Sequence, residues 1–259
     1  MKHYIIPNLK EILKPRWAHK PGFGMSEEYV LHKRESFEQS STPKDSNLLK
    51  KLGMKKNDKV LAIASYYASW ASQLAKAGVK VDYSDISKEM VGWAKKEYKK
   101  LFGKYLCSNY ELIPQRENQY DWTFTYEACG GGSGLPLAYL RSLINNKGGI
   151  LVLLVDDENP KRMGGKLKRY PGIVKTLSEI YGAKFSIKNI KIRGHRIKKD
   201  FKLLPYLVCR VLTNPSAREM AKSDLEALTS NHFTEENLKR LTKLSKIIGD
   251  KFKNEKTRD

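Results

Sequence analysis

The chain has 259 residues, 40% of them hydrophobic and 30% charged, which fits a globular protein with a sizeable core and excludes a disordered or fibrous chain. Lys and Arg number 49 against 28 Asp and Glu, a formal charge of +21. No run approaches the roughly 20 apolar residues of a membrane helix, and charges interrupt the N-terminal MKHYIIPNLKEILKPRW where an export signal needs its apolar stretch.

A cytoplasmic protein that neither enters nor crosses a membrane is the expectation. Cys107, Cys129 and Cys209 form no CxxC pair, which points to a reducing compartment. The five histidines show no HxxxH or HExxH spacing, so no metal is expected.

Residues 1–45, with Pro7, Pro15, Pro21 and Pro43, read as short helical pieces and loops covering a core. Ser46–Leu52 predicts a helix stopped by Gly53. A regular alternation follows. Lys59–Ala64 predicts a strand, Trp70–Ala77 a helix, Val79–Ser84 a strand, and Ser87 to about Leu101 a helix with Ser87 as N-cap. Tyr105–Cys107 is a short third strand and the aromatic, β-branched Tyr120–Tyr126 a fourth. Leu137–Asn145 predicts a helix and Gly149–Val155 a buried strand. After a helix near Val174–Tyr181, Phe185–Ile192 and Leu203–Leu212 read as an antiparallel pair closing one sheet edge. Residues 216–228 and 234–252 are two amphipathic helices, the second opened by Thr234 with Glu235 and Glu236.

Strands alternating with helices imply right-handed crossovers and a parallel sheet covered on both faces. The predicted architecture is a three-layer α/β sandwich, Rossmann-like, with three parts. Residues 1–45 are a cover segment, 46–214 the α/β domain and 215–259 a basic helical tail able to carry a protein partner.

The charge is unevenly distributed. Residues 60–160 hold 11 basic and 11 acidic residues, whereas 161–210 hold 15 basic and only 2 acidic. A field so concentrated attracts a polyanion, with RNA the first candidate. Two clusters carry it: Lys161, Arg162, Lys166, Lys168 and Arg169 with Tyr170, then Arg193, His195, Arg196, Lys198 and Lys199. Both are expected in connections on the carboxyl-end or edge side of the sheet. Lys161, Arg162, Lys168, Arg169, Arg193 and Arg196 are the candidate substrate contacts.

From about Leu48 to Thr213 the order of motifs resembles the class I S-adenosylmethionine-dependent methyltransferases. VLAIASYYASWASQLAKAGVKVDYSDIS aligns without a gap to that family's first strand, cofactor loop, first helix and second strand. The resemblance implies a mostly parallel seven-stranded sheet with a terminal antiparallel strand. It also implies S-adenosylmethionine as cofactor. Asp85 falls where the family holds the ribose hydroxyls, and a carboxylate can accept from two neighbouring hydroxyls at once. Ile86 falls against the adenine ring, Asn109 where an acceptor meets the adenine amino group, and Tyr110 beside the base. Ser65 and Tyr66 lie in the loop for the methionine end. The pattern departs at Ala62, where the family places an acidic residue, and at Ala64, Tyr66 and Ala68, which stand at its glycine positions.

Tyr126 and Glu127 follow the fourth strand, beside the expected transfer point, with Glu127 a candidate general base or orienting group. The Asn/Asp-Pro-Pro-aromatic motif of amino-methylating enzymes is absent there, and no Pro-Cys motif accompanies Cys129. Gly130-Gly131-Gly132-Ser133-Gly134 lacks the Lys and Ser/Thr of a P-loop and reads as a rim. Three functions stay open: a methyltransferase acting on RNA or another polyanion, a catalytically inactive binding protein of that fold, and a small-molecule methyltransferase.

Overall fold

The computed structural model describes residues 43–63, 68–85, 87–108, 119–126, 134–155, 160–196 and 199–244. Strand β1 (Lys59–Ile63) is buried at every position after Lys59. A strand with no wet face must be paired on both edges and covered on both sides. β2 (Lys80–Asp85) and β4 (Trp122–Tyr126) flank it in parallel, with Ala62 opposite both Tyr83 and Phe124. β3 (Tyr105–Cys107) extends the sheet beyond β2, and β5 (Gly148–Leu154) beyond β4. β6 (Lys184–Arg196) and β7 (Lys199–Leu212) form a long antiparallel hairpin. β7 inserts antiparallel beside β5, so the sheet has seven strands in the order 3-2-1-4-5-7-6. The one antiparallel strand is last in the chain and sits one place in from the edge.

Helices cover both faces. α1 (Leu48–Leu52), α2 (Ser69–Lys76) and α3 (Lys88–Glu97) pack on the face formed by Val60, Ala62, Val81, Tyr83, Phe124 and Val152. α4 (Gly134–Ile144), α5 (Pro160–Tyr181) and α6 (Pro215–Ser230) cover Leu61, Ile63, Leu151, Leu153 and Cys209 on the other. A further helix, α7, is described over 235–244 and adds Leu241 and Leu244 to that second core. Among the described residues no helix is long and apolar enough to cross a membrane.

The expected elements appear among the described residues, with 245–252 of the last expected helix lying outside them, and one clear difference concerns a helix. The segment before Val174, expected as a connection, is helical from Pro160 onward, with Pro171 inside the helix. Proline suits the first turn, where its missing N–H has no intrahelical partner. Pro171 forfeits one hydrogen bond, and Ile173, Val174, Leu177 and Tyr181, buried on the core side, hold the following turns in place. Gly148 opens β5 at φ +107, and a Cβ there would lie 1.8 Å from the Val211 carbonyl oxygen. Only glycine lets β7 pass so close. The expected cover segment lies outside the described residues except for 43–45, where Pro43 bridges Gly194 on the outer edge of β6.

Two polar clusters lock the layers. Asp224 on α6, fully buried, accepts from Tyr181 Oη on α5 at 2.7 Å, from Asn237 Nδ2 at 2.6 Å and from Arg240 Nε and Nη2 at 2.9 and 2.8 Å. Every direction around the carboxylate is filled, which offsets the cost of burying it. At the amino ends of β1 and β4, Asp58 accepts from Trp122 Nε1 at 2.9 Å and from Lys147 Nζ at 2.7 Å. Arg210 and Lys147 lie over the Trp122 ring at 4.8 and 5.7 Å.

Asp224→Ala leaves Arg240 partly buried without its carboxylate, and should lower unfolding stability by about 3–5 kcal/mol in urea melts. The second cluster gives a pH signature. Burial raises the Asp58 carboxyl, but hydrogen bonds from Lys147, the Lys55 amide and Trp122 outweigh it and leave it below the usual carboxylate range. Burial likewise lowers Lys147, and Asp58 more than restores it. The carboxylate's contribution is therefore present above its unfolded value and lost as pH falls through the lowered one. The lysine's is present below its unfolded value and lost as pH rises through the raised one. Lys147→Met should move the acid-unfolding midpoint, followed by circular dichroism, to higher pH.

Candidate functional site

The helices that follow β1 and β2 lie on one face of the sheet, and those that follow β4 and β5 on the other. In open α/β sheets such a divergence marks the crevice beyond the carboxyl ends of the central strands as the place where ligands bind. The strands present Ile63, Asp85, Cys107 and Tyr126 at that end.

Asp85 is half-buried as the last residue of β2, and its Oδ1 accepts the Ser87 amide at 3.0 Å. Ser87 caps α3 by accepting the Met90 amide at 3.2 Å, and its hydroxyl donates to Glu89 Oε2 at 2.7 Å. That hydrogen bond, with smaller help from the charge of Lys88, holds the Glu89 carboxyl below the usual carboxylate range. One capped turn thus orients the carboxylate at the mouth. The Ser108 amide donates to the Asp85 carbonyl at 3.0 Å and ties the exit of β3 to the same point.

The first residue described after β1 is Ala68, fully buried with φ +55. It precedes α2 and stands at one of the three positions where the resembling family has glycine. The backbone keeps the left-handed turn while carrying a methyl group, at a cost of about 1–2 kcal/mol. Its carbonyl accepts the Ser72 amide at 2.7 Å, which starts the helix. The surroundings impose this torsion even without glycine.

Tyr126 is 8% exposed. Its ring stacks on Trp70 of α2 with centroids 5.0 Å apart, and Trp70 meets Phe124 at 5.9 Å and Tyr206 of β7 at 5.2 Å. Four rings from α2, β4 and β7 make a rigid aromatic layer at the carboxyl ends of the strands. The expectation covered Tyr126 and missed Trp70 and Tyr206, which no spacing in the sequence connects. Ser87 was read as a cap, and its bond to Asp85 was not visible.

Beyond β5 the hairpin overhangs. Pairing of β5 with β7 ends at Leu154 opposite Tyr206, whereas β6 and β7 stay paired out to Arg196 opposite Lys199. The overhang rises on the crevice side and carries exposed Arg193 and Lys202, with Leu203 62% exposed. The Arg193 amide donates to Asp45 Oδ2 at 3.0 Å, and its carbonyl accepts the Lys44 amide at 2.7 Å. Two placements are corrected. The first basic cluster, Lys161 to Arg169, lies on α5 rather than in a connection. In the second, Arg193, Arg196 and Lys199 belong to strands. Extended pairing of β6 with β7 and the burial of the later turns of α5 override the loop reading that basic, Gly-containing stretches suggest. Ser65, Tyr66, Ile86, Asn109, Tyr110 and Glu127 lie outside the described residues.

Among solved structures, a candidate S-adenosyl-L-methionine-dependent methyltransferase from Methanococcus maripaludis aligns with a TM-score of 0.50 at 14% identity. The alignment covers 76% of this chain and 96% of that one. With strand order and helix placement already in hand, this match decides the architecture. The fold is that of a class I S-adenosylmethionine-dependent methyltransferase. Two further methyltransferase-fold neighbours are similar at lower scores. A SAM-dependent methyltransferase from Aquifex aeolicus has a TM-score of 0.48 at 18% identity, over 73% of this chain and 99% of that one. Magnesium protoporphyrin IX methyltransferase from Synechocystis PCC 6803, solved with bound SAH, scores 0.42 at 15% identity, over 75% and 90%. No protein-family model matches the chain, and no curated protein matches it.

Ala68→Gly relieves the left-handed torsion but loses a buried methyl worth about 0.8 kcal/mol and gains unfolded-state freedom worth about 0.4–1 kcal/mol. The terms nearly cancel, so its melting temperature should stay close to that of the parent. Ala68→Val, β-branched and overpacked at the same torsion, should lose about 2 kcal/mol or more. Equal stability of all three chains would show that the torsion is not imposed.

Proposed function

We propose that this protein is an S-adenosylmethionine-dependent methyltransferase acting on a polyanionic substrate, RNA first. The observation that carries the reading is the position of Asp85. It ends the second strand of a methyltransferase sheet, at the crevice, with one carboxylate oxygen anchored to Ser87. In this reading Asp85 accepts from the two ribose hydroxyls, Asn109 and Tyr110 receive the adenine with Ile86 against its ring, and Ser65 and Tyr66 hold the methionine end. The cofactor supplies an electrophilic methyl group on a sulfonium when bound. The protein's share of the work is alignment of the acceptor with that methyl, and Glu127 orients the acceptor or takes its proton. Tyr126, stacked on Trp70, gives the loop bearing Glu127 a stiff base.

The RNA preference rests on charge. Lys161, Arg162, Lys168 and Arg169 on α5, with Arg193 and Arg196 on the overhanging hairpin, belong to elements that border the carboxyl end of the sheet. Long cations there suit phosphates flanking an acceptor nucleotide. A second reading, an inactive binding protein of the same fold, draws on the side chains at the glycine positions, of which Ala68 retains the turn only under strain.

Calorimetric titration separates the two. The intact protein should bind S-adenosylmethionine at micromolar concentration, and Asp85→Ala should weaken binding about 10-fold or more, the worth of hydrogen bonds to a charged group. Absence of binding heat in a folded parent favours the binding-protein reading. Equal affinity of parent and Asp85→Ala overturns the assignment of Asp85.

A further inference from the structure

Opposite the crevice, the amino ends of β1, β2 and β3 enclose a cavity of about 510 Å³. Its wall includes Lys59 from β1, Lys80 from β2, and Lys100 and Lys104 from the turn between α3 and β3. All four lysines are exposed, and among the described residues none has an ion-pair partner. The nearby acids are already committed. Asp82, the one carboxylate on the wall, accepts from Tyr120 Oη at 2.7 Å. Asp58 and Asp121, at the neighbouring ends of β1 and β4, pair with Lys147 at 2.7 and 3.4 Å.

Hydrogen bonds fix the backbone of the turn that bears two of these lysines. The Gly103 amide donates to the Val81 carbonyl and the Leu101 amide to the Tyr98 carbonyl, each at 2.9 Å, while Tyr105 Oη donates to the Tyr98 carbonyl at 2.5 Å. Gly103 is pressed so close to β2 that a Cβ there would lie 2.7 Å from Asp82 Oδ1. The turn bearing Lys100 and Lys104 is therefore docked onto the strand bearing Lys80. Four unpaired ammonium groups around one concavity repel one another, and an anion lying among them relieves that repulsion.

We infer that this lysine-walled cavity at the amino end of the sheet is a second RNA contact, one that binds the phosphate backbone without reading bases. Beside Asp82, which is held by Tyr120, its wall offers four cations and a glutamine, Gln119, with no exposed aromatic ring on which a base could stack, so phosphates are the groups it fits. RNA reaching from the crevice around the β3 edge would meet it. The inference does not require methyl transfer, because backbone binding needs no cofactor.

The test is fluorescence anisotropy of a labelled, mixed-sequence single-stranded RNA with the full chain, without cofactor, across a salt series. Lys80→Glu with Lys104→Glu should weaken binding at least 10-fold at 0.1 M salt. The slope of log affinity against log salt should become shallower by about 1.4, the worth of two phosphate contacts to a single strand. Lys239→Glu with Lys243→Glu, an equal charge change on exposed positions of α7, should cost under 3-fold. Lys80→Gln with Lys104→Gln serves if the acidic pair lowers the melting temperature. Equal losses in the cavity and α7 variants overturn the inference. So does absence of RNA binding by the parent, including the case where it binds tripolyphosphate alone. Cofactor titration of the same chains reports separately on the methyltransferase reading.

Discussion

Val60, Leu61, Ala62 and Ile63 are each inaccessible to solvent, and the rest of the molecule is arranged around that burial. A central strand without a wet face needs hydrogen-bonded neighbours on both edges and apolar cover on both sides. β2 and β4 supply the edges. Leu61 and Ile63 join the core under α4, α5 and α6, while Val60 and Ala62 join the one under α1, α2 and α3. Because the covering helices must diverge from the two sides of β1, the crevice beyond its carboxyl end is a geometric consequence of the same burial. Asp85 and Tyr126, at the carboxyl ends of β2 and β4, inherit their positions from that requirement.

The two ends of the sheet are treated differently. At the carboxyl end, a capped turn holds Asp85 and an aromatic layer stiffens the exit of β4 against β7. At the amino end, carboxylates are spent on internal bonds. Asp58 secures Trp122 and Lys147, and Asp82 secures Tyr120. Burial and the Asp82 hydrogen bond push the Tyr120 hydroxyl far up, so it stays a donor across the ordinary pH range. Lysines are left over on the surface there.

Ala68 shows a left-handed turn kept at a position where the resembling family has glycine. The turn into α2 needs a left-handed residue, and glycine is its usual occupant. The helix's first hydrogen bond, from the Ser72 amide to the Ala68 carbonyl, and the packing of Trp70 between Phe124, Tyr126 and Tyr206 demand the same turn from alanine. Strain of this kind is tolerated only where neighbours over-determine the backbone.

By itself the sequence determined the alternation of elements, the antiparallel hairpin and the cap at Ser87, each written in short-range periodicity, β-branched or aromatic content and capping chemistry. The acidic end of β2 at Asp85 was implied by the family resemblance. The sequence misread the stretch before Val174 as a connection, because basic residues with three glycines and two prolines carry loop propensity. Burial of the following turns against β6 and β7 outweighs that propensity. Nothing local joins Trp70 to Tyr206, Asp224 to Tyr181 and Arg240, or Lys59 to Lys104. Tertiary structure alone decided those, because each pairing depends on which strand lies beside which, and strand order is a property of the whole sheet.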